Sequence, residues 1–223
     1  MSRAEIQRSL QRLDAITRRL RRECPWDREQ DERSIVPHTV EEAYELADAA
    51  QAGDDAKLLD ELGDVLFQVH FLALLLEERG AGDLAAVAER CAEKLVRRHP
   101  HVFGDAQART AAEVLRNWDA IKRDEPGRSP EVFADVPQNL PALLLARKLQ
   151  RRAASAGLDS GDDASLRELC GEVQDLDGAS REERFARVGE LLFAAVAAAR
   201  RLQVDPEVAL RAAAARFRAR APR

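Results

Sequence analysis

From Val65 to Leu76 the chain is apolar at every position except Gln68 and His70. A leucine-rich run of that length reads as a helix buried on most of its circumference. The residues leading into it are charged but ordered: Lys57, Glu61, Asp64 and Gln68 recur at steps of four, three and four, forming one polar stripe on the same helix. Such a helix demands other helices to cover its apolar surface and a partner for its stripe. Upstream, Glu41, Glu42 and Glu45 repeat the theme. Glu42 and Glu45 lie ~60° apart on a helical wheel, as do Glu61 and Asp64. Packed antiparallel, the two helices converge their carboxylates. Like charges that close repel and lose hydration unless a cation lies between them, and an all-oxygen donor set suits hard divalent ions such as Mg²⁺. Taken alone, Glu61 and Asp64 are adequately explained as the solvated end of a helix; the EExxE run turns the balance toward a metal site.

The remaining pattern specifies an all-α protein. Aromatics are 4% of the 223 residues, charged residues reach 34% with both signs interspersed, and no alternating run has strand chemistry. Periodicity predicts helices over about 4–23, 39–50, 55–79, 83–98, 110–123, 140–156, 164–176, 182–202 and 206–220. The 39–50 helix starts at a T-x-x-E capping box, Thr39 with Glu42, and Pro25 and Pro37 make the segment before it a loop or a short helical turn. Leu84, Val87, Cys91 and Leu95 mark the inner side of the fourth helix. Pro126, Pro130, Pro137 and Pro141 mark a linker, dividing the chain into 1–124, 125–141 and 142–223.

Composition excludes several classes. A net charge of −5 offers no general attraction to nucleic acid or membrane, and Arg18, Arg19, Arg21 and Arg22, without interleaved aromatics, read as a solvated face. Three separated cysteines without CxxC spacing indicate a reducing compartment, and the N-terminus lacks a secretory apolar region, so a cytoplasmic location is expected. None of the four histidines follows a glutamate by three residues, which disfavours a di-iron bundle, and HExxH and GxxxxGK[ST] are absent.

The chain also repeats itself. ELGDVLF at Glu61–Phe67 corresponds to RVGELLF at Arg187–Phe193, and EExxE at Glu41 to GExxD at Gly171. The second copy carries Gly171 for Glu41 and Arg187 for Glu61, while Glu172, Asp175 and Glu190 persist. Chemistry is therefore expected in the first half, with Arg187 pairing one of the remaining acids in a structural or regulatory second half.

EExxE, a fifteen-residue gap and ExxD, with CPWDREQ, ELGDVLFQVHF, ERCAEKLVRRHPHVFGD, NWDAIK and LPALLLARKLQRRAASAGLD, closely resemble the MazG-type nucleoside triphosphate pyrophosphohydrolases in their two-domain bacterial form. The resemblance implies two tandem MazG-like helical-bundle repeats, a homodimer, and hydrolysis of a nucleoside triphosphate to monophosphate and pyrophosphate in nucleotide-pool house-cleaning. It implies Mg²⁺, with Mn²⁺ as a substitute. Glu42, Glu45, Glu61 and Asp64 are then the metal ligands, with Glu45 or Glu41 orienting the attacking water as general base. Where the family commonly has GFDW this chain has Gly157-Leu158-Asp159-Ser160.

Lys94, Arg97 and Arg98 form a basic stripe assigned to phosphate, although each alone is equally well explained by the helix dipole. Trp26 either stacks on a base or anchors the core. Trp118 and His70 read as packed residues, and His99 and His101 as local hydrogen-bonding groups at a helix end. The alternative to an enzyme is a helical regulatory or scaffold protein that binds nucleotides without hydrolysis, which would have no use for the full acid set.

Overall fold

A computed structural model describes residues 2–127, 129, 131–158, 166–174, 176 and 178–220. Among these the chain forms eleven α-helices and no strand. It divides into two compact units, residues 1–97 and 98–223.

The first unit is built around a helical hairpin. Its first helix, α1 (Arg3–Glu23), begins at a capping box in which Ser2 and Glu5 each satisfy the other's backbone N–H. A five-residue helix, α2 (Pro25–Glu29), follows. The third helix, α3 (Glu32–Ala52), starts seven residues before the predicted 39–50 helix. Thr39 is not a cap: its hydroxyl donates back to the Ile35 carbonyl at 3.3 Å, inside the helix. The real cap is Asp31, whose carboxylate accepts from the Ser34 N–H at 2.8 Å while the Ser34 hydroxyl accepts from the Asp31 N–H. Pro37 is carried within the helix, at the loss of one backbone donor.

Gly53, left-handed at φ 67°, ends α3, and Asp54 caps α4 (Asp55–Glu78) through the Ala56 and Lys57 N–H groups. At the far end of the hairpin Arg79 meets Glu32 at 2.6 Å, an ion pair between the two antiparallel helices. Ile35, Phe71 and Leu75 form the core between them, flanked by Phe67 and Leu72. Along α4 lies α1, tied by the paired bonds of Arg18 to Glu77 and Arg21 to Glu78, with the Arg21 guanidinium 5.9 Å from the Phe71 ring centroid. The fifth helix, α5 (Leu84–Arg98), is capped by Asp83.

Two apolar surfaces expected inside are open in the single chain. Leu66 and Val69 of α4 are exposed, so the helix is covered on the side of Phe71, Ala73, Leu74 and Leu75 and bare on the other. On α5, Cys91 and Leu95 are exposed as well, because no helix of the unit packs extensively on that face.

The second unit contains α6 (Pro100–Phe103), α7 (Ala111–Arg123), α8 (Ala142–Ser155), α9 (Leu166–Gln174), α10 (Arg181–Arg201) and α11 (Pro206–Ala219). Its centre is α10, packed by α8, α9 and α11 around Leu169, Val196 and Ala197. Gln150 donates to the Phe193 carbonyl at 2.8 Å, and Ser155 joins α8 to Asp119 of α7 at 3.0 Å. Arg98, the last residue of α5, belongs to this unit, and the described residues of the proline-rich stretch after Asp124 lie within it outside any helix. Asp159, Ser160 and Asp175 lie outside the described residues.

Candidate metal centre

The hairpin determines the site. Because α3 and α4 run antiparallel from the Gly53 turn, Glu42 and Glu45, one helical turn apart, face the first turns of α4. Glu42, Glu45 and Glu61 each place a carboxylate oxygen within 4.8 Å of the others. Glu61 is only 5% exposed, Glu42 is half-buried and Glu45 faces solvent. The nearest compensating charge recorded at the site is Lys57, whose Nζ lies 3.8 Å from the Glu61 carboxylate.

This geometry has an electrostatic cost. Burial pushes the Glu61 carboxyl above its ordinary 4.5, the charge of Glu45 adds to the rise, and Lys57 opposes it. Glu42 is raised in the same way, by burial first and then by Asp64, Glu45, Glu61 and Glu41. Three convergent carboxylate oxygens are the donor set a hard divalent ion takes, and such an ion would relieve their repulsion. The residues therefore fit such an ion.

Asp64 is exposed and outside the three-carboxylate group, yet close enough that its charge is the largest acidic contribution at Glu42. Glu41 points elsewhere: it is exposed, with its carboxylate 3.8 Å from the His38 imidazole. Trp26 is 50% exposed and meets the His38 ring edge-on at 5.7 Å, so it is neither a buried anchor nor isolated from α3. Lys94 and Arg97 are exposed on α5. Arg98 is the one cation of that stripe drawn inward: it is 7% exposed and holds Glu125 through two bonds of 2.8 and 2.6 Å, over the Trp118 ring. His70 is buried, with Nδ1 unpartnered. Gln68, at the inner end of the polar stripe, is buried with its amide oxygen unpartnered. The four-three-four spacing placed Gln68 on the stripe, but nothing in the sequence signalled that its carbonyl would be left unmet.

Comparison with known proteins identifies the segment that carries these carboxylates. The model of the MazG nucleotide pyrophosphohydrolase domain matches residues 30–103, which include every carboxylate of the site. A nucleoside triphosphate pyrophosphohydrolase of Escherichia coli strain K12 is 40% identical over 95% of this chain and 85% of its own length. The chain belongs to the MazG family. Another member, the nucleoside triphosphate pyrophosphohydrolase/pyrophosphatase MazG of Thermotoga maritima, is 40% identical over 87% of this chain and 76% of its own. The crystal structure of a MazG-related protein from Thermotoga maritima aligns with a TM-score of 0.44 at 26% identity, over 51% of this chain and 98% of that one. The all-α architecture expected of a MazG chain is the one observed.

Proposed function

We propose that the chain hydrolyses nucleoside triphosphates to the monophosphate and pyrophosphate, in a Mg²⁺-dependent reaction that clears unwanted nucleotides from the cytoplasmic pool. The observation that carries this reading is the convergence of Glu42, Glu45 and buried Glu61 within the segment shared with the family.

Glu42, Glu45 and Glu61 would hold the ion, with Asp64 completing the set from the next turn of α4. When bound, the ion polarises phosphate oxygens and eases loss of a proton from water. The chain's own residues do the rest. Glu45, the solvent-facing member of the group, accepts a hydrogen bond from the attacking water and takes its proton; Glu41, outside the group, is the second candidate for that role. Lys94 and Arg97 of α5 are assigned to the triphosphate, and Trp26 to the face of the base. Arg98 is held by Glu125, so its part in phosphate binding requires exchange of that ion pair.

The test is pyrophosphate release from a panel of nucleoside triphosphates, with and without Mg²⁺. Nucleotide binding without any release would favour a non-hydrolysing scaffold. Lys94→Ala combined with Arg97→Ala is expected to weaken triphosphate binding by about tenfold or more, since each removes a charge-assisted contact; unchanged affinity by calorimetry would return both to ordinary helix-end charges.

The proposed assembly is a homodimer. Leu59, Leu62, Leu66 and Val69 recur at three, four and three along α4, and all are exposed, Leu59 at 74%. A continuous apolar stripe beside a catalytic hairpin is a surface to be covered. Light scattering at micromolar concentration is expected to give twice the chain mass of 24.8 kDa; Leu62→Glu with Leu66→Glu is expected to give the chain mass itself.

A further inference from the structure

We propose that Arg187 is a built-in replacement for a metal ion: its guanidinium holds Glu172 of α9 and Glu190 of α10 together, so that the second unit closes without a divalent cation. The inference rests on reading the α3/α4 carboxylates as a cation site.

Aligning RVGELLF with ELGDVLF puts Arg187 at the place of Glu61 and Glu190 at the place of Asp64, while GExxD puts Glu172 at the place of Glu42. The packing follows the same plan, with α9 against α10 as α3 is against α4. At this point the two units take opposite solutions. In the first, acids converge and the nearby amine of Lys57 reaches only Glu61, at 3.8 Å. In the second, one nitrogen of Arg187, Nη1, lies 2.8 Å from the Glu190 carboxylate and 3.3 Å from the Glu172 carboxylate, bridging two helices. The hydrogen bond that Arg187 donates to Glu190, and the charges of both acids, push the guanidinium further above its ordinary range, and an arginine is a cation at any working pH.

Unlike a metal ion, a guanidinium has no vacant coordination position to accept an oxygen lone pair and activate a water, and here its Nη1 is engaged by the two carboxylates. The bridge therefore satisfies the acids and ends their use as ligands. All three side chains are about half exposed, so the bridge adds little to global stability. Its effect is on what the acids can bind. The apolar residues around the bridge keep the common plan too: Phe185, Val188 and Leu192 of α10 are exposed at the places of Leu59, Leu62 and Leu66. The second unit has kept the scaffold of the first and replaced its requirement for an ion.

The experiment uses the full chain with Glu61→Gln, which removes the buried ligand of the first unit, and compares it with the same chain also carrying Arg187→Glu. Mn²⁺ alone is the probe, read by calorimetric titration and by thermal melting. The double variant is expected to gain Mn²⁺ binding absent from its parent, and to melt about 5 °C higher at roughly a hundredfold excess over the Kd. The gained binding is expected to disappear on Glu190→Gln. A double variant that folds and binds no Mn²⁺ overturns the proposal. So does a Glu61→Gln chain that still binds Mn²⁺ through Glu190. If Arg187→Glu fails to fold, Arg187→Gln takes its place: a Mn²⁺-dependent rise in its melting temperature supports the proposal, and no rise overturns it. The unsubstituted chain is titrated in parallel. Its failure to bind Mn²⁺ would count against the first-unit reading, and the Arg187 comparison would still be read independently.

Discussion

Glu61→Gln is expected to lower pyrophosphate release by about 10²–10³-fold or more, while the same variant, in chelator at neutral pH, melts at a higher temperature than the unsubstituted chain. Both effects come from one cause. Glu61 is buried beside Glu45, and its carboxyl is raised above 4.5, so its ionised form is disfavoured in the folded state relative to the unfolded one. A raised carboxylate contributes stability below 4.5, where it is protonated in both states, and loses that contribution as pH rises through its folded value. Above that window the metal-free protein carries the full penalty. Glutamine keeps the shape and removes the charge, so the stability difference should open as pH rises from about 4.5 and close again below it. A divalent ion should reverse the order by stabilising only the glutamate-bearing chain. A dead variant that melted lower at every pH would mean lost structure and not a lost ligand. A variant with normal Mg²⁺-dependent release would remove Glu61 from the site.

The convergence of Glu42, Glu45 and Glu61 was legible in the sequence because it follows from helical spacing. Acids at helical spacing, heading into an apolar helix, are costly to hold together, and Glu42, Glu45 and Glu61 are the ones the hairpin brings to one place, while Glu41 lies beside His38. The helices were legible from their periodicity, and several begin at local caps, Ser180 with Glu183, Thr110 with Glu113 and Asp205 with Val208, each three residues apart. The start of α3 was misread because its capping box uses Ser34 where glutamate or glutamine is usual, and because Pro37 was taken as a break although it sits near the helix start. The inner face of α5 failed for another reason. Periodicity shows which side of a helix is apolar, but not whether the same chain supplies a cover for it. Arg187 lies between these cases: its charge and place were visible, but the simultaneous reach to Glu172 and Glu190 depends on how α9 packs on α10.

Arg98 was assigned to phosphate from its place in a basic stripe, and its partner lies 27 residues away, beyond the reach of any local pattern. Arg98→Ala is expected to destabilise the protein by about 3–5 kcal/mol, because it removes one partner of a nearly buried ion pair. For a chain of this size the melting temperature should fall by roughly 10 °C. The pair is nearly sealed, with side chains 7% and 10% exposed, and the guanidinium also packs at 5.2 Å over the Trp118 ring. Arg98→Lys should recover only part of the loss, since an ammonium cannot make the two parallel bonds that run from Nε and Nη2 to the two Glu125 oxygens. Replacing both partners, Arg98→Met with Glu125→Leu, should restore most of it, because no buried charge is then left unpaired. That stable double variant separates the two roles the residue could have. If it binds triphosphate as tightly as the parent, Arg98 is a structural clasp joining the end of α5 to the chain beyond α7. If it folds normally but has lost affinity, the ion pair opens on substrate binding, and Glu125 is the group that holds Arg98 in place until a phosphate displaces it.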